Sequence, residues 1–319
     1  MQYIEIKGYN DTLLKVSRIA MGSAMSMMRL SKDVITELFD IYLDAGGNVL
    51  DTARSYGDGS CETMVAEYLK KSGKRNQVLL TTKGCHPRNE SMSVSRLGRA
   101  DMARDIEDSL KTFGVDTFDI YWIHKDDERI PVEEIVDSMN EIIIRPGKAR
   151  FVGCSNWHTD RIEAANAYAA ASGQCGFLGS QIQWSLAETK EEYFKEFGAV
   201  VMDEASYQWY LSKNMPVFAF SSQAQGFFPR VKAVGAENLP EMLQKCYVTP
   251  ENMARYERAS AVAEKYNVSL SAPALCYLTC NKLPAVAIIG AETPEMLLES
   301  LQSAELPLTE GDAETLYYG

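Results

Sequence analysis

The sequence predicts an α/β fold, with a closed (β/α)8 barrel as the leading architecture and an open doubly wound sheet as the alternative. Short Val-, Ile- and Leu-rich runs alternate along the chain with longer segments of helical periodicity, which is typical of parallel β-sheets. The runs number eight, and most are apolar almost throughout, as expected of strands buried on both faces. A chain of 319 residues fits a barrel built as one domain, 1–319.

A β-hairpin is expected to precede the barrel. Residues 3–16 form two short runs around Gly8-Tyr9-Asn10-Asp11, and this hairpin would close the bottom of the barrel. The barrel itself is expected to span 18–290, and each of its strands is a short apolar run. The eight strands are assigned to 18–22, 47–52, 77–83, 117–123, 149–155, 178–183, 216–221 and 284–289.

Helices are predicted between the strands from apolar residues three to four apart, and Ser31, Ser60 and Asp101 stand where N-caps are expected. Residues 222–250 look long and irregular for a connection, and such loops often cover a binding site. Residues 294–319 are expected to form a C-terminal helix and tail. The helical segments are 31–45, 60–71, 100–113, 131–144, 158–171, 201–213 and 269–281.

The composition disfavours several classes of function. A net charge of −12, with no cluster of Lys and Arg, disfavours binding to nucleic acid or to an anionic membrane. The amino terminus lacks the layout of a signal peptide, and no apolar run approaches the ~20 residues of a membrane helix, so we expect a cytoplasmic protein. Seven scattered cysteines without CxxC spacing indicate core residues rather than a disulfide framework or a zinc site.

Ionisable side chains collect where three successive strands are predicted to end. The second strand ends in Asp51, and Tyr56 follows just beyond it. The third strand ends in Lys83, and the fourth ends in His124. Because the carboxyl ends of all strands meet on one face of a barrel, these four side chains are expected to lie together. Each has an ordinary structural explanation alone, but burying four ionisable groups in one place is costly unless they partner each other.

Together the four residues have the chemistry of a proton-transfer group. A tyrosine has an ordinary pKa of about 10, and a neighbouring ammonium stabilises its phenolate and lowers that value. Lys83 would do this for Tyr56, while Asp51 would hold the lysine charged and in position. His124 would hydrogen-bond the same substrate oxygen and orient a carbonyl, which leaves Tyr56 as the acid.

The turn that holds Tyr56 has some features of a nucleotide-binding loop. Gly57 and Gly59 follow a strand and precede a predicted helix, but Glu62 stands where the G-x-G-x-x-G pattern requires its third glycine. We therefore interpret the glycines as freeing the backbone to turn sharply, so that Tyr56 reaches over the barrel mouth.

Six segments, in order and spacing, resemble the successive signatures of the aldo-keto reductases. They are DTARSYGDGSCE, LLTTKG, IYWIHKDD, FVGCSN, SQIQWSL and FAFSSQAQGFF, and the resemblance extends from about residue 14 to 302. It implies a (β/α)8 barrel that binds NAD or NADP without a Rossmann domain and transfers hydride reversibly to a carbonyl. It also implies a catalytic tetrad, which matches Asp51, Tyr56, Lys83 and His124.

The resemblance assigns further positions to the cofactor. Ser155, Asn156 and Gln181 match groups that hydrogen-bond the nicotinamide carboxamide. Phe220 takes the place of the ring, usually tyrosine in the family, that stacks on the nicotinamide. The loop after the seventh strand matches the segment that wraps the pyrophosphate, and the end of the first strand faces the cofactor. These two groups are Ser221, Gln223, Gln225 and Gly226, and Gly22 and Ser23.

The adenine end departs from the family pattern. Gly290, Glu292 and Met296 stand where the family commonly has Arg or Lys beside the 2′-phosphate of NADP. Glu292 would accept hydrogen bonds from an unphosphorylated ribose and would repel a phosphate, so we expect a weaker NADP preference than usual, with NAD as a candidate cofactor. Glu299 matches an acidic residue that contacts adenine in relatives.

The substrate side is less strongly indicated. Trp122 and Trp157 are expected as pocket walls, and Asp126 or Asp127 is a candidate for binding the hydroxyls of a polyol or sugar. The expected partner is therefore a small-molecule carbonyl, polyol or sugar, and oligomer formation stays open. Further candidate walls are Met25, Met27, Met28 and Phe227.

Two other functions stay open at this point. A metal-dependent barrel hydrolase or isomerase would use Asp51, His124, Asp126 and a glutamate as ligands, but Lys83 places a cation at the same site, so we expect no metal. A non-catalytic nicotinamide-sensing subunit would keep the barrel and bind cofactor without turnover. The intact tetrad argues against that second alternative.

Overall fold

Eight parallel strands close into a barrel, in agreement with the predicted (β/α)8 fold and not with an open sheet. The computed structural model describes residues 1–23, 27–194 and 198–319. The barrel strands follow one another in chain order, and the last pairs with the first. They are β3 (Ile19–Gly22), β4 (Val49–Asp51), β5 (Leu79–Gly84), β6 (Ile120–Ile123), β7 (Val152–Ser155), β8 (Ser180–Gln183), β9 (Val217–Phe220) and β10 (Ala285–Ile289).

Helices surround the barrel and join its strands. The larger apolar cluster lies between strands and helices, so both faces of each strand are covered; this explains why the strands are apolar almost throughout. The helices are α1 (Lys32–Asp44), α2 (Ser60–Ser72), α3 (Arg99–Phe113), α4 (Val132–Met139), α5 (Thr159–Ala171), α6 (Glu204–Lys213), α7 (Phe227–Val234), α8 (Glu241–Tyr247), α9 (Pro250–Tyr266), α10 (Ser271–Thr279), α11 (Pro294–Leu301) and α12 (Glu310–Tyr318).

The amino-terminal hairpin closes one end of the barrel. It consists of β1 (Tyr3–Lys7) and β2 (Leu13–Ser17), which pair antiparallel. Ile6, Leu14 and Val16 are buried in the same apolar cluster as the barrel interior. They therefore fill the end at which the strands begin and leave the opposite end for polar side chains.

The segment 222–250 is helical rather than irregular, which corrects the expectation drawn from the sequence. It contains α7, α8 and a short helical turn between them. Both helices bury an apolar face, including Phe228 and Val231 of α7 and Leu243 of α8. Short helices whose stability comes from tertiary packing leave only a weak periodic signal in the sequence.

The long helix α9 directly follows this segment and was not among the predicted helices. Thr249 caps it, because the Thr249 side chain accepts a hydrogen bond from the Asn252 amide, and Pro250 occupies the first turn. Both features are signals of a helix start that the sequence contains. In the described parts of the chain, no helix combines the length and apolar character needed to cross a membrane.

Candidate active site

The four ionisable residues predicted to lie together do meet at the carboxyl end of the barrel. Asp51 is the last residue of β4, Lys83 is the second-to-last residue of β5, and His124 follows β6 directly. All three are buried, and the Lys83 side chain has no exposed surface at all. Tyr56 lies in the turn after β4 and is half-buried.

Lys83 lies at the centre of the group. Its Nζ donates hydrogen bonds to Asp51 Oδ2 at 2.6 Å and to the carbonyl oxygen of Thr52 at 2.7 Å. The same Nζ lies 4.9 Å from the centre of the Tyr56 ring. The Tyr56 ring in turn meets the His124 ring edge-on, with centroids 5.8 Å apart. The buried ammonium is therefore paired with a carboxylate and faces the proposed acid.

The electrostatics of Tyr56 correct one expectation. Burial raises the pKa of Tyr56 more than the Lys83 ammonium lowers it, so the net shift is upward rather than downward. Burial lowers the pKa of Lys83, but the neighbouring Asp51 and Tyr56 outweigh it and raise the pKa overall. Consequently, at neutral pH the phenol is protonated and the lysine is charged.

His124 is neutral at physiological pH. Burial is the largest cause of a pKa well below the ordinary value, and the nearby positive charge of Lys83 and a second histidine, His86, add to it. The His86 and His124 rings lie 4.7 Å apart. Ser55 Oγ lies 3.3 Å from His124 Nδ1. The sequence reasoning missed Ser55 and His86, although Ser55 directly precedes Tyr56 and His86 stands three positions after Lys83.

The predicted nicotinamide contacts lie at the same end of the barrel. Asn156 Nδ2 donates to Ser155 Oγ at 3.1 Å and to the carbonyl oxygen of His124 at 3.3 Å. Gln181 is buried and donates from Nε2 to Asp51 Oδ1 at 3.2 Å. Asn156 has a left-handed backbone, with φ of 59°. These amides are thus connected to the group of four ionisable residues through His124 and Asp51.

The loop after β9 has an unusual backbone. Ser221, Ala224, Gln225 and Gly226 all have φ between 47° and 76°. Left-handed non-glycine residues cost roughly 1 kcal/mol each and tend to persist at functional sites. Phe220, at the end of β9, is half-buried and precedes this loop directly.

Two further contacts join the predicted cofactor segments. Gln223 Nε2 donates to Ser300 Oγ of α11 at 2.8 Å, which brings the β9 loop to the predicted adenine end. Ser23 is buried and donates from Oγ to the Asp51 carbonyl oxygen at 3.1 Å. An added Cβ at Gly22 would lie 3.0 Å from Ile288, so the close packing there favours glycine.

The segment predicted to bind the adenine end of the cofactor is exposed. A lysine that the sequence reasoning missed lies near it. Gly290, Glu292 and Met296 are exposed at the surface. Glu299 accepts a hydrogen bond from Ser269 Oγ at 2.9 Å and borders an open cavity of about 350 Å³. Lys232 of α7 lines the same cavity. This lysine went unnoticed because 222–250 was expected to be an irregular loop.

The two tryptophans predicted to line the substrate pocket do not face an open space in the structure. Trp122 and Trp157 are completely buried, and Trp122 donates from Nε1 to Thr81 Oγ1 inside the barrel. Trp157 packs against Phe177, with ring centroids 4.9 Å apart. Complete burial is at odds with a role for either tryptophan as a pocket wall in this structure.

Asp127 is already engaged by a cation. Arg129 donates to both of its carboxylate oxygens, and this hydrogen bonding lowers the pKa of Asp127 to about 2. Among the other candidate walls, Met27 and Phe227 are buried and Met28 is exposed, whereas Met25 lies outside the described residues. Among the candidate walls that the structure describes, only Met28 therefore has a large exposed surface.

A polar cavity of about 190 Å³ lies beside His124. Ser55 and His86, which both contact His124, form part of its wall. Arg54, Arg88 and Arg96 contribute guanidinium groups to the same wall. The cavity therefore offers hydrogen-bond donors and acceptors rather than an apolar surface, since four carboxylates line it as well: Asp58, Glu90, Asp105 and Asp108. Within the described parts of the chain, no cluster of three or more His, Cys, Asp or Glu side chains is suited to a metal ion.

Comparison with known proteins identifies the family and agrees with the barrel fold. The model of the aldo/keto reductase family matches residues 18–317, and the chain belongs to this family. It is 27% identical to an aryl-alcohol dehydrogenase of Pestalotiopsis microspora, over 92% of this chain and 74% of the relative. It is 33% identical to an aldo-keto reductase of Bacillus subtilis, over 53% of this chain and 51% of the relative.

A third relative is relevant to the alternative function, a nicotinamide-sensing subunit that binds cofactor without catalysis. It is a Schizosaccharomyces pombe protein named as a candidate beta subunit of a voltage-gated potassium channel. The identity is 24%, over 92% of this chain and 86% of the relative. Family membership and the names of the dehydrogenase relatives support an oxidoreductase, and the family in general reduces carbonyls with NAD(P)H.

Proposed function

We propose that the protein reversibly reduces the carbonyl of an aldehyde, ketone or sugar to an alcohol with NADH or NADPH, and that Tyr56 is the proton donor. The buried group in which Lys83 lies between Asp51 and Tyr56 supports this proposal most strongly. A fully buried lysine is costly to keep charged unless it has a partner of opposite charge. Here Asp51 is that partner, and the ammonium also faces the Tyr56 ring.

The raised pKa of Tyr56 suits an acid. At neutral pH the phenol retains its proton until the carbonyl oxygen gains negative charge. When the proton leaves, the Lys83 ammonium stabilises the phenolate, while Asp51 keeps the lysine in position. Lys83 thereby acts mainly on the product of proton transfer and so lowers the barrier.

His124 would orient the carbonyl. Because the imidazole is neutral, one ring nitrogen donates and the other accepts. Ser55 Oγ is within reach of Nδ1, so a serine hydroxyl that donates there leaves the proton on Nε2. An Nε2–H directed at the substrate oxygen would polarise the carbonyl without releasing its own proton.

The residues at the mouth fit a nicotinamide cofactor. Buried Gln181 and Ser155, together with Asn156, provide hydrogen-bonding groups suited to a carboxamide, and the Phe220 ring offers a stacking face. The left-handed loop after β9 would hold the pyrophosphate. When bound, the reduced cofactor supplies the hydride that adds to the carbonyl carbon.

Choice between the two cofactors rests on opposing charges. Glu292 would repel a 2′-phosphate, whereas Lys232 would attract one if the phosphate reaches its cavity. We expect NADP preference to be weaker than is usual in the family. Titration of both reduced cofactors, followed by cofactor fluorescence, tests this expectation, and NADPH binding much more tightly than NADH would contradict it.

Kinetics with Tyr56→Phe test the catalytic assignment. Loss of the hydroxyl should lower kcat by about 10²-fold or more, because no other acid replaces it. The rate is measured as oxidation of NADH or NADPH by aromatic, aliphatic and sugar aldehydes. Tyr168→Phe is the matched control, since it removes a hydroxyl bonded to Asp137 on the surface. Equal rates for Tyr56→Phe and wild type on every substrate would refute the proton donor.

A nicotinamide-sensing subunit is the second candidate function, and the channel-subunit relative is the observation that favours it. In that case the protein would bind the reduced cofactor without oxidising it. Single-turnover mixing of the cofactor-loaded protein with the same panel separates the two functions. Oxidation of bound cofactor by any carbonyl excludes a subunit without turnover.

A further inference from the structure

A second buried charge lies next to the catalytic group and takes no part in the proposed reaction. Glu62, in the first turn of α2, has no exposed side-chain surface. Its Oε2 accepts a hydrogen bond from Arg54 Nη1 at 2.8 Å. Its Oε1 accepts from Thr82 Oγ1 at 2.6 Å and from Ser109 Oγ at 2.7 Å. The carboxylate is therefore fully engaged by three donors.

The three donors come from three separate elements, and two of them adjoin the catalytic residues. Arg54 stands two positions before Tyr56, in the turn after β4. Thr82 directly precedes Lys83 in β5, and Ser109 belongs to α3. The Arg54 amide also donates to the Lys83 carbonyl oxygen at 2.9 Å. Glu62 thus connects the turn of the proposed acid to the strand of the lysine.

The turn around Tyr56 needs such support. Gly57, Asp58 and Gly59 are three successive residues with positive φ, of 57°, 51° and 87°. Such a turn is not favoured by its own local interactions when one member is not glycine. The Arg54 guanidinium packs directly against Gly59, where any Cβ would collide with it. Arg54 therefore contacts the chain on the far side of Tyr56 and also reaches Glu62.

Stability alone is a poor explanation for this ion pair. Such a pair gains little over apolar residues of the same volume, because Glu62 loses all of its hydration and Arg54, which is 23% exposed, loses most of its own. What the pair provides is a defined direction, since a guanidinium hydrogen-bonds only within its own plane. That direction fixes the position of the turn relative to Lys83.

We propose that Arg54 and Glu62 are positioning residues that hold the Tyr56 hydroxyl in register with Lys83 for proton transfer. The inference rests on the proposed function. Glu62 has no exposed surface with which to touch the substrate or the cofactor, and Arg54, although it lines the polar cavity beside His124, is assigned a role only through the Tyr56 turn. Disturbing the pair should slow the proton-transfer step and leave binding intact.

The test compares Arg54→Met, Glu62→Gln and the double variant. Arg54→Met leaves Glu62 buried without its cation and should lower Tm strongly. The double variant removes both charges at nearly constant volume, so Tm should recover. Kcat should nevertheless stay roughly 10- to 100-fold below wild type, as expected for a misplaced catalytic group, while KM and the cofactor Kd remain unchanged.

The pH profile provides a second measurement. With Tyr56 further from Lys83, the ammonium lowers the pKa of the phenol less, so the alkaline limb of kcat/KM should move to higher pH. Arg255→Met is the control for the loss of a buried arginine from an ion pair, because Arg255 is buried while its partner Glu188 is exposed. It breaks the contact with Glu188, far from Tyr56 in the chain, and should change Tm but neither kcat nor the pH profile.

Wild type and Tyr56→Phe, assayed beside these variants, keep the two proposals separate. If Tyr56→Phe is as active as wild type, the proposed proton donor fails. If Tyr56→Phe is inactive but the double variant regains wild-type kcat along with its Tm, the proton donor holds and the positioning role of Arg54 and Glu62 is overturned.

Discussion

The two ends of the barrel are built on opposite principles. At the closed end, the hairpin places Ile6, Leu14 and Val16 into an apolar cluster. At the open end, Lys83 and Asp51 are just as deeply buried but form an ion pair, and the surrounding loops contain residues with a left-handed backbone. The closed end lowers the free energy of the fold, whereas the open end holds costly groups in a defined geometry.

Removal of Lys83, at the open end, should have the largest effect, because it should lower both activity and stability. Lys83→Met should lower kcat about 10³-fold, because the phenolate loses its stabilising charge. It should also cost ~3–5 kcal/mol of stability, because Asp51 is left buried without a cation. Steady-state kinetics and urea unfolding measure the two losses.

The double variant Lys83→Met/Asp51→Asn serves as the control for Lys83. It should regain much of the stability and none of the activity. Wild-type turnover by either variant would show that the buried pair is structural only.

Truncation of an apolar side chain at the closed end should lower stability without lowering activity. Leu14→Ala should cost ~2–5 kcal/mol of stability by opening a cavity, and kcat at a temperature where the protein stays folded should not change. The neighbouring Leu13 is exposed, so Leu13→Ala should alter stability by no more than ~0.5 kcal/mol. A fall in kcat for Leu14→Ala would mean that the two ends are coupled.

The neutral histidine at the open end should make stability depend on pH. Because the pKa of His124 is lower in the folded than in the unfolded state, the unfolded state binds more protons. Stability should therefore be complete above about pH 6.5 and fall as the pH drops below it, by at most ~1.4 kcal/mol per pH unit for this group.

Thermal unfolding between pH 8 and pH 5 measures this slope. His124→Asn should flatten it, although His86, whose pKa is also lowered chiefly by burial, should leave a residual slope. His158 is exposed, so His158→Asn is the control and should leave the slope as in wild type. A wild-type curve that is flat over this range would contradict the burial of a neutral histidine.

The smallest effect is expected at Ser55. Ser55→Ala removes one hydrogen bond to His124 Nδ1, worth about 1 kcal/mol, so kcat should fall roughly fivefold. Stability should change little, because Ser55 is not buried. Kinetics at several pH values test this, and an unchanged kcat would mean that the serine does not select the tautomer of His124.

Much of the fold and of the catalytic group was predictable. The alternation of strands and helices, and the ionisable residues at strand ends, are local patterns that a (β/α)8 barrel brings to one face. Asp51, Lys83 and His124 accordingly lie where the sequence predicted them. The six ordered motifs indicated the family, and the family match over residues 18–317 confirms it.

What could not be predicted depends on packing between distant segments. The helices in 222–250 become stable by burying apolar faces, and so Lys232 reaches a cavity beside Glu299. Complete burial of Trp122 and Trp157 likewise depends on neighbours from other strands and helices. Hydrophobic character in the sequence does not distinguish a pocket wall from a core residue.

The sequence by itself determined the barrel, its eight strands and which ionisable residues meet at the open end, because periodicity and residue order encode them. Only the tertiary structure decided the direction of the Tyr56 pKa shift, because it depends on the balance between burial and the distance to Lys83. It also showed that Glu62, noticed first as a missing glycine, is buried beside the tyrosine turn. Distances and burial arise from the assembly of distant segments, so they are absent from any local pattern.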